Sequence, residues 1–143
     1  MSKPIAVNGT TLLVTSTAGT ITAFSVQITS SPSSDISIND KGIYSKEIAF
    51  SIASGMTITS PVAGTTGTGT TASPTQGTIS GTGSNAEEVN KGVMVLLDDN
   101  VDITATFNFP ITPTPPSPPY VTPVTLPINV KVIDTAQTDV TLD

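Results

Sequence analysis

Oxygen-bearing side chains cluster at one point of the sequence, and they are of the types that bind a hard cation. Asp98, Asp99 and Asp102 lie within five consecutive positions, with Asn100 between them. Carboxylate and amide oxygens are the ligands that Ca²⁺ prefers, but the spacing is not that of an EF-hand loop. A solvated hairpin turn, in which Asp and Asn make local hydrogen bonds, explains this cluster more simply than a cation site does.

The usual combinations of catalytic residues are missing from the chain. It contains no His and no Cys, so the commonest general base, the commonest transition-metal ligand and thiolate chemistry are all absent. Glu87 and Glu88 are adjacent, and neighbours on a strand point to opposite faces; such a pair suits a solubilising role before an apolar strand. No His or suitably placed Lys is available to activate a Ser or Thr hydroxyl. We therefore predict that the chain is not an enzyme, and that it uses neither a metal nor a cofactor.

A proline-rich stretch offers a possible contact with a partner. Residues 113–119 contain P-x-x-P patterns, which can dock into an aromatic groove. A stiff linker is the simpler explanation of this composition. Tyr120 follows directly and is the candidate anchor for a partner.

Charge and the N-terminal sequence limit the partners and the location. A net charge of −6 with only five Lys and Arg residues argues against nucleic-acid binding, which needs a basic surface. No segment approaches the roughly 20 apolar residues of a membrane span, and no signal-peptide pattern follows Met1. We therefore expect synthesis in the cytoplasm without stable membrane insertion. The Thr-, Ser-, Gly- and Pro-rich composition resembles that of virion β-proteins, which suggests a particle that is assembled inside the cell and then released or fired outward.

The elements that must position these residues are strands. Thr is abundant and suits a half-buried strand, and no segment shows the apolar periodicity of a helix. We predict an all-β domain at 1–109, with a Gly- and Thr-rich loop at 55–84. Within it, Asn8-Gly9 and Asn39-Asp40 predict tight turns, and the alternation of Ile48, Phe50 and Ile52 predicts a strand with one apolar face. Residues 110–127 hold eight prolines and predict an extended polyproline II strap. Residues 128–143 predict a C-terminal strand and an acidic tail.

One local phrase occurs three times, and it involves three of the five cationic residues. Lys is followed by Pro or Gly and then by a β-branched aliphatic residue, at Lys3-Pro4-Ile5, Lys41-Gly42-Ile43 and Lys91-Gly92-Val93. Each phrase joins a turn to an apolar run, so we interpret it as one turn-and-strand unit used three times, with insertions in the intervening loops. The prediction is that strands starting at Ile5, Ile43 and Val93 are related by an approximate threefold axis.

Three segments resemble PAAR-type spike-tip proteins of contractile injection systems. The opening residues 2–9, Ser-Lys-Pro-Ile-Ala-Val-Asn-Gly, are similar to the Lys-Pro-Ala-Ala-Arg-type start of that family. Residues 79–82 and 89–99 resemble its repeated pattern of a strand, a Gly-containing turn and an aliphatic strand that ends in Asp. Together the resemblance extends over residues 2–107.

The resemblance implies a small conical or prism-like β-fold with pseudo-threefold units. Its implied role is to cap and sharpen a trimeric membrane-puncturing spike in a phage tail, an extracellular injection particle or a type VI secretion system. The partners would be the trimeric spike protein and, in some members, an effector. PAAR-type tips usually hold a metal through His and Cys, and this chain has neither, so packing and hydrogen bonds would have to hold its apex.

Two other classes of protein fit the same composition. One is a tail-fibre, decoration or capsid-surface β-domain, present in many copies per particle. The other is a secreted immunoglobulin-like β-sandwich that acts in adhesion or carbohydrate binding, because several alternating strands at short spacing are typical of that fold. Carbohydrate platforms usually need exposed aromatic residues, and only Tyr44 and Tyr120 are available for that role.

Overall fold

Strands make up the regular structure of this protein. The structure, a computed structural model, describes residues 3–34, 36–59, 68–84, 93–111, 118 and 120–142, and these residues form fifteen strands and no helix. None of them belongs to a helix with the length and hydrophobicity needed to cross a bilayer. In chain order the strands are β1 (Lys3–Pro4), β2 (Thr11–Thr15), β3 (Thr20–Ala23), β4 (Val26–Ile28), β5 (Ser37–Ile38), β6 (Lys41–Gly42), β7 (Glu47–Ile52), β8 (Thr57–Thr59), β9 (Thr68–Thr71), β10 (Thr75–Ser80), β11 (Gly83–Ser84), β12 (Val93–Met94), β13 (Asn100–Ile111), β14 (Tyr120–Asp134) and β15 (Thr141–Leu142).

The strands form one sheet of six strands, one of three and three ladders of two. The six-stranded sheet has the order β2-β14-β13-β9-β8-β3, and all its pairs are antiparallel. Its edge strands β2 and β3 are consecutive in the chain and contact each other, so the sheet is nearly closed. The three-stranded sheet has the order β10-β7-β4, and the two-stranded ladders are β1-β15, β5-β6 and β11-β12.

The main core lies between the six-stranded and three-stranded sheets. Alternate residues of β7 and β13 point into it, and Phe50, Phe107 and Phe109 are among its largest fully buried side chains. The period-two pattern at Ile48, Phe50 and Ile52 is therefore confirmed as a buried face. Each of these phenylalanines contributes about 1.5–3 kcal/mol of apolar burial. These side chains hold the two sheets together and make one all-β unit.

The strap that was predicted at 110–127 lies largely within the central hairpin of the six-stranded sheet. Strands β13 and β14 pair continuously from Asn100 opposite Lys131 to Ile111 opposite Tyr120. Residues 110–111 and 120–127 therefore belong to strands, and the strand expected from Ile128 starts at Tyr120. The rest of the strap, apart from Pro118, lies outside the described residues.

The prolines fit into this hairpin because they lie where no ladder donor is needed. The Pro127 carbonyl accepts a hydrogen bond from Ser16 Oγ at 2.6 Å, on the side away from β13, so its nitrogen also points away from β13. Pro123 lies four residues earlier and faces the same way, and Pro110 is opposite Val121, which has the same orientation. None of the three prolines therefore interrupts the β13–β14 ladder.

The Gly- and Thr-rich loop that was predicted at 55–84 contains four strands, β8 to β11, among its described residues. Two of its glycines serve close packing. A Cβ on Gly69 would lie 2.5 Å from the ring of Phe109, and one on Gly77 would lie 2.7 Å from the ring of Phe50. Only glycine allows these rings to lie against the strand backbone, while β-branched Thr supplies the strand propensity. The glycines of this segment resemble turn signals, so its sequence pattern indicates a loop, and only the packing of these two rings explains the strands.

The short turns were predicted correctly. Asn39 and Asp40 have φ values of 54° and 65° and form the two-residue connection between β5 and β6. Positive φ at both central residues is the backbone of a type I′ hairpin, which Asn and Asp tolerate. Gly9 of the Asn8-Gly9 turn has a φ of 102°, a left-handed conformation that suits glycine.

Candidate functional site

The three phrases that recur in the sequence meet at one place in the structure. Their strands supply three legs, Ile5–Val7, Ile43–Ser45 and Met94–Leu96, which we call the triangle. The central residue of each leg donates its backbone N–H to the next leg. Ala6 donates to the Val95 carbonyl (2.8 Å), Val95 to the Tyr44 carbonyl (3.1 Å), and Tyr44 to the Ala6 carbonyl (3.0 Å). The three hydrogen bonds form a closed ring.

The residues on either side of the ring repeat the same cyclic order. The first residue of each leg forms an antiparallel bridge with the last residue of another leg. The pairs are Ile5 with Leu96, Val7 with Ile43, and Ser45 with Met94. If each leg is replaced by the next leg around the ring, every ring hydrogen bond and every bridge coincides with an equivalent one. The pseudo-threefold arrangement of turn-and-strand units is therefore present in the fold.

The predicted strand starts are correct for one unit and wrong for the other two. β12 begins at Val93, as predicted, and Val93 pairs with Ser84 of β11. β1 and β6 begin two residues earlier than predicted, at Lys3 and Lys41, and Ile5 and Ile43 form isolated bridges just after them. The triangle itself begins at Met94 in the third unit, because Met94 is the residue bridged to Ser45.

The triangle separates two hydrophobic clusters. The side chains of its central residues, Ala6, Tyr44 and Val95, join the main core. Five flanking side chains, each at most 4% exposed, form a second core on the other side. They are Ile5, Val7, Ile43, Met94 and Leu96. Ile36, Ile38 and Ala136 pack against that second core and are partly buried. Because apolar groups cover both sides, the ring of hydrogen bonds is shielded from water, and breaking it would leave buried polar groups unpaired.

Each leg is supported on its outer side by a different strand. The first leg continues β1 and lies beside β15, where the Ile5 N–H donates to the Val140 carbonyl at 3.3 Å. The second leg continues β6, and Ile43 exchanges hydrogen bonds with Ser33 (2.7 Å) and Ile36 (3.1 Å). The third leg continues β12, which pairs with β11. The three two-stranded ladders thus surround the triangle.

Two buried polar side chains hold these ladders in place: Gln137, which the sequence analysis did not single out, and Asp99, which it considered only as part of the acidic cluster. Gln137 donates from Nε2 to the carbonyls of Ile5 and Val140, and its Oε1 accepts from the Val140 N–H, all at 2.9 Å. Asp99 accepts from the Leu96 N–H at 2.8 Å and from both the N–H and the hydroxyl of Thr82, at 3.1 Å and 2.5 Å. Each side chain substitutes for a strand neighbour. Gln137 has no sequence signal beyond its polarity in an apolar context, and the acidic turn drew attention to Asp99 without indicating this role.

The predicted turn residues of the units have structural roles where they are described. Lys3 Nζ lies 3.6 Å from an Asp98 carboxylate oxygen, and both side chains are about half exposed. Lys41 Nζ donates to the Ala136 carbonyl at 3.3 Å. Gly42 approaches the Ser33 carbonyl so closely that a Cβ would collide with it. Lys91 and Gly92 lie outside the described residues.

The acidic cluster is not brought together as a cation site. Asp98 is exposed and faces Lys3, whereas the Asp99 carboxylate is buried and accepts the hydrogen bonds described above. Asp102 accepts a hydrogen bond from Asn129 Nδ2 at 2.9 Å. Within the described part of the chain, no three His, Cys, Asp or Glu side chains converge as metal ligands. The three aspartates therefore stabilise local structure in three different places.

Tyr120 and Tyr44, the two tyrosines, have opposite environments. Tyr120 is the first residue of β14, 56% exposed, beside the 60% exposed Val121. Tyr44 is 4% exposed at the centre of the triangle, and burial raises the pKa of its phenol above the ordinary value of 10.0. Tyr44 also lines a cleft between residues 8–12 and β4. Tyr120 is accessible to a partner, whereas Tyr44 has a packing role that its sequence position did not reveal.

The triangle is a buried, approximately threefold element of the backbone. Its backbone groups bond to one another and to the three outer ladders, so its contribution is geometric. No family model, no curated protein and no solved structure matches the chain. The proposal of a function therefore depends on the residues and their geometry.

Proposed function

We propose that this protein is a metal-free, PAAR-like spike-tip protein that caps a trimeric spike of a contractile injection particle. The observation that carries the proposal is the closed ring between Ala6, Tyr44 and Val95, with its cyclic set of bridges. The blunt end of a trimer presents the same edge three times. A single chain can match all three edges only if it repeats its own backbone geometry around the same axis.

The absence of His and Cys from the sequence is compatible with this role because other interactions hold the triangle. The ring is buried between two apolar clusters, and Gln137 and Asp99 connect its legs to outer strands. Buried and fully paired polar groups of this kind rigidify a core. A tip held in this way would retain its shape without a metal while the spike pierces a membrane.

The test is to mix the purified chain with the trimeric spike protein encoded in the same gene neighbourhood. Native mass spectrometry is expected to show one chain for every three spike chains. A ratio of three chains per trimer, or no complex at micromolar concentrations, would contradict the proposal. Many copies in the intact particle would instead support the alternative of a decoration or tail-fibre domain.

The same complex tests the predicted anchor role of Tyr120. Substitution of Tyr120 by Ala is expected to weaken the complex, because exposed tyrosines often contribute strongly to interfaces. The neighbouring Val121→Ala change provides a matched control, since Val121 is equally exposed and points to the other face of β14. Equal affinities of the two variants would show that Tyr120 is not an anchor.

A further inference from the structure

Asn8 and Gly9 form the only Asn-Gly pair in the sequence, and such a pair is chemically reactive. The backbone nitrogen of the glycine can attack the side-chain carbonyl carbon of the asparagine, because a residue without a side chain does not obstruct that approach. The attack closes a cyclic imide and expels the side-chain nitrogen as ammonia, which takes up the proton that the glycine nitrogen loses. Water then opens the ring at either of its carbonyl carbons, which leaves aspartate or isoaspartate in place of the asparagine.

The structure leaves both reacting groups accessible. Asn8 and Gly9 are exposed and line the cleft beside β4, whose volume of about 420 Å³ leaves room for the water that the second step consumes. The neighbouring N–H groups are paired, from Asn8 to the Gly42 carbonyl (2.9 Å) and from Thr10 to the Val7 carbonyl (3.0 Å). Among the described residues, neither the Gly9 N–H nor the Asn8 side-chain amide has a hydrogen-bond partner. Neither reacting group therefore has to give up a hydrogen bond before the ring closes.

The turn itself requires glycine after Asn8. Gly9 has a φ of 102°, a left-handed conformation that strains other residues. A Cβ at this position would also lie only 3.3 Å from the Cβ of Ala136. The fold therefore keeps beside Asn8 the residue that least obstructs attack on its side chain.

Asn100 shows how the same side chain is protected elsewhere in the fold. It is exposed like Asn8, but its amide donates to the Asp98 carbonyl and accepts from Asn129, both at 3.0 Å. The next residue, Val101, is β-branched and pairs within the β13–β14 ladder, so its nitrogen is both crowded and held. Exposure alone therefore does not make an asparagine reactive, and Asn100 is a control within the same chain.

Conversion of Asn8 to isoaspartate would disturb the end of the first leg of the triangle. Val7, the last residue of that leg, is fully buried, and its carbonyl accepts from the N–H and the hydroxyl of Thr10, at 3.0 and 2.7 Å. These two bonds close the turn that contains Asn8 and Gly9. Isoaspartate carries the main chain through the side-chain methylene and so lengthens this turn, whereas aspartate leaves its length unchanged. Only isoaspartate therefore separates the Val7 carbonyl from Thr10, whose buried donors then lack a partner.

We propose that Asn8-Gly9 is a self-modification site, at which Asn8 converts without an enzyme to isoaspartate and aspartate, and that isoaspartate loosens the first leg of the triangle. The reaction needs only water and is promoted by base, because loss of the Gly9 N–H proton activates the nitrogen. It adds a negative charge to the chain, since a carboxylate replaces a neutral amide. The inference does not depend on the spike-tip role.

The first experiment incubates the wild-type chain at mildly alkaline pH and maps its peptides by mass spectrometry with electron-transfer fragmentation, which distinguishes isoaspartate from aspartate. Conversion at Asn8 is expected to be at least about tenfold faster than at Asn100, a ratio that needs a difference of only about 1.4 kcal/mol between the two barriers. An equal or lower rate at Asn8 would overturn the proposal. Asn8→Gln is the control variant, because its longer side chain closes a ring more slowly; equal conversion of the two side chains would exclude attack by Gly9 as the route.

The second experiment compares the modified chain with Asn8→Asp, which carries the same added charge without the longer main chain. Anion exchange isolates the modified wild-type chain, and peptide mapping confirms that its modification lies at Asn8. This chain is expected to unfold at a lower urea concentration than Asn8→Asp, and its Thr10 amide is expected to exchange hydrogen at least about tenfold faster. Asn8→Asp is expected to match the unmodified wild type in both measurements. Equal urea midpoints and equal exchange at Thr10 would overturn the link between this site and the triangle.

Discussion

Truncation of Gln137 to Ala tests whether one buried side chain fixes the C-terminal segment to the triangle. The change removes the hydrogen bond from Nε2 to the carbonyl of Ile5, a residue that is 4% exposed. A buried acceptor left without a partner costs about 1–3 kcal/mol, and the lost methylene burial adds about 0.8 kcal/mol. Val140 is 41% exposed, so water can replace its bonds to Gln137. The expected loss in the free energy of unfolding is therefore about 2–4 kcal/mol.

Urea unfolding monitored by circular dichroism measures this loss. An unchanged m-value, which is the slope of the free energy of unfolding against urea concentration, would show that the fold is unaltered. Gln76→Ala is the matched control, because Gln76 is an exposed residue of β10, and its truncation is expected to change stability by less than about 0.5 kcal/mol. Gln137→Glu is expected to be at least as damaging as Gln137→Ala, since a carboxylate would face the Ile5 carbonyl. If Gln137→Ala and Gln76→Ala proved equally stable, the assigned role of Gln137 would be refuted.

Three further substitutions test other parts of the structure. Thr122→Pro is expected to destabilise the protein by about 1–3 kcal/mol, because it removes a ladder donor toward β13 and leaves the opposite carbonyl unpaired. Thr125→Pro, whose N–H faces the free edge, is expected to cost less than about 1 kcal/mol. Equal losses in urea unfolding would refute the assigned orientation of β14. Gly42→Ala is expected to lower the melting temperature, because its Cβ would collide with a neighbouring carbonyl; an unchanged melting temperature would contradict that close approach. Burial raises the pKa of Tyr44 above 10.0, which means that folding favours the neutral phenol. The stability that the neutral phenol contributes is therefore fully present below about pH 10 and is lost as the pH rises through the pKa of the folded state. Unfolding measured at alkaline pH should therefore show a smaller decline for Tyr44→Phe than for the wild type or Tyr120→Phe, and identical declines would argue against the burial effect.

The features that the sequence predicted are those that local residue chemistry determines. The turns at Asn8-Gly9 and Asn39-Asp40 follow from the tolerance of Asn, Asp and Gly for positive φ. The alternating strand at Ile48–Ile52 follows from its period of two, and the repeat of Lys with Pro or Gly marked the entry to each leg of the triangle. In each case a few neighbouring residues contain all the information that is needed.

The features that the sequence did not predict depend on partners that are distant in the chain. The prolines of β14 are compatible with a strand only because their nitrogens face a free edge, and that orientation depends on the pairing with β13. Gly69 and Gly77 have the composition of a loop, and only the rings of Phe109 and Phe50 explain them. Gln137 bonds to Ile5 across almost the whole chain, so its role could not be inferred from its neighbours.

The symmetry of the triangle is much closer on one of its sides than on the other. Toward the main core the three central residues are Ala6, Tyr44 and Val95, whose side chains differ greatly in volume. Toward the second core five of the six flanking side chains are aliphatic or Met, and only Ser45 departs from that type. These flanking side chains are buried, so a partner on this side would contact the residues that cover them, such as Ile38. A single chain that matches a trimer should do so on the side where its own repeat is closest, so if this chain caps a trimer, the trimer is expected on the side of the second core. Photo-crosslinkers placed at Ile38, beside the second core, should then capture the spike protein, whereas crosslinkers at Phe24, an exposed residue that follows β3, should not. The reverse result would contradict this orientation.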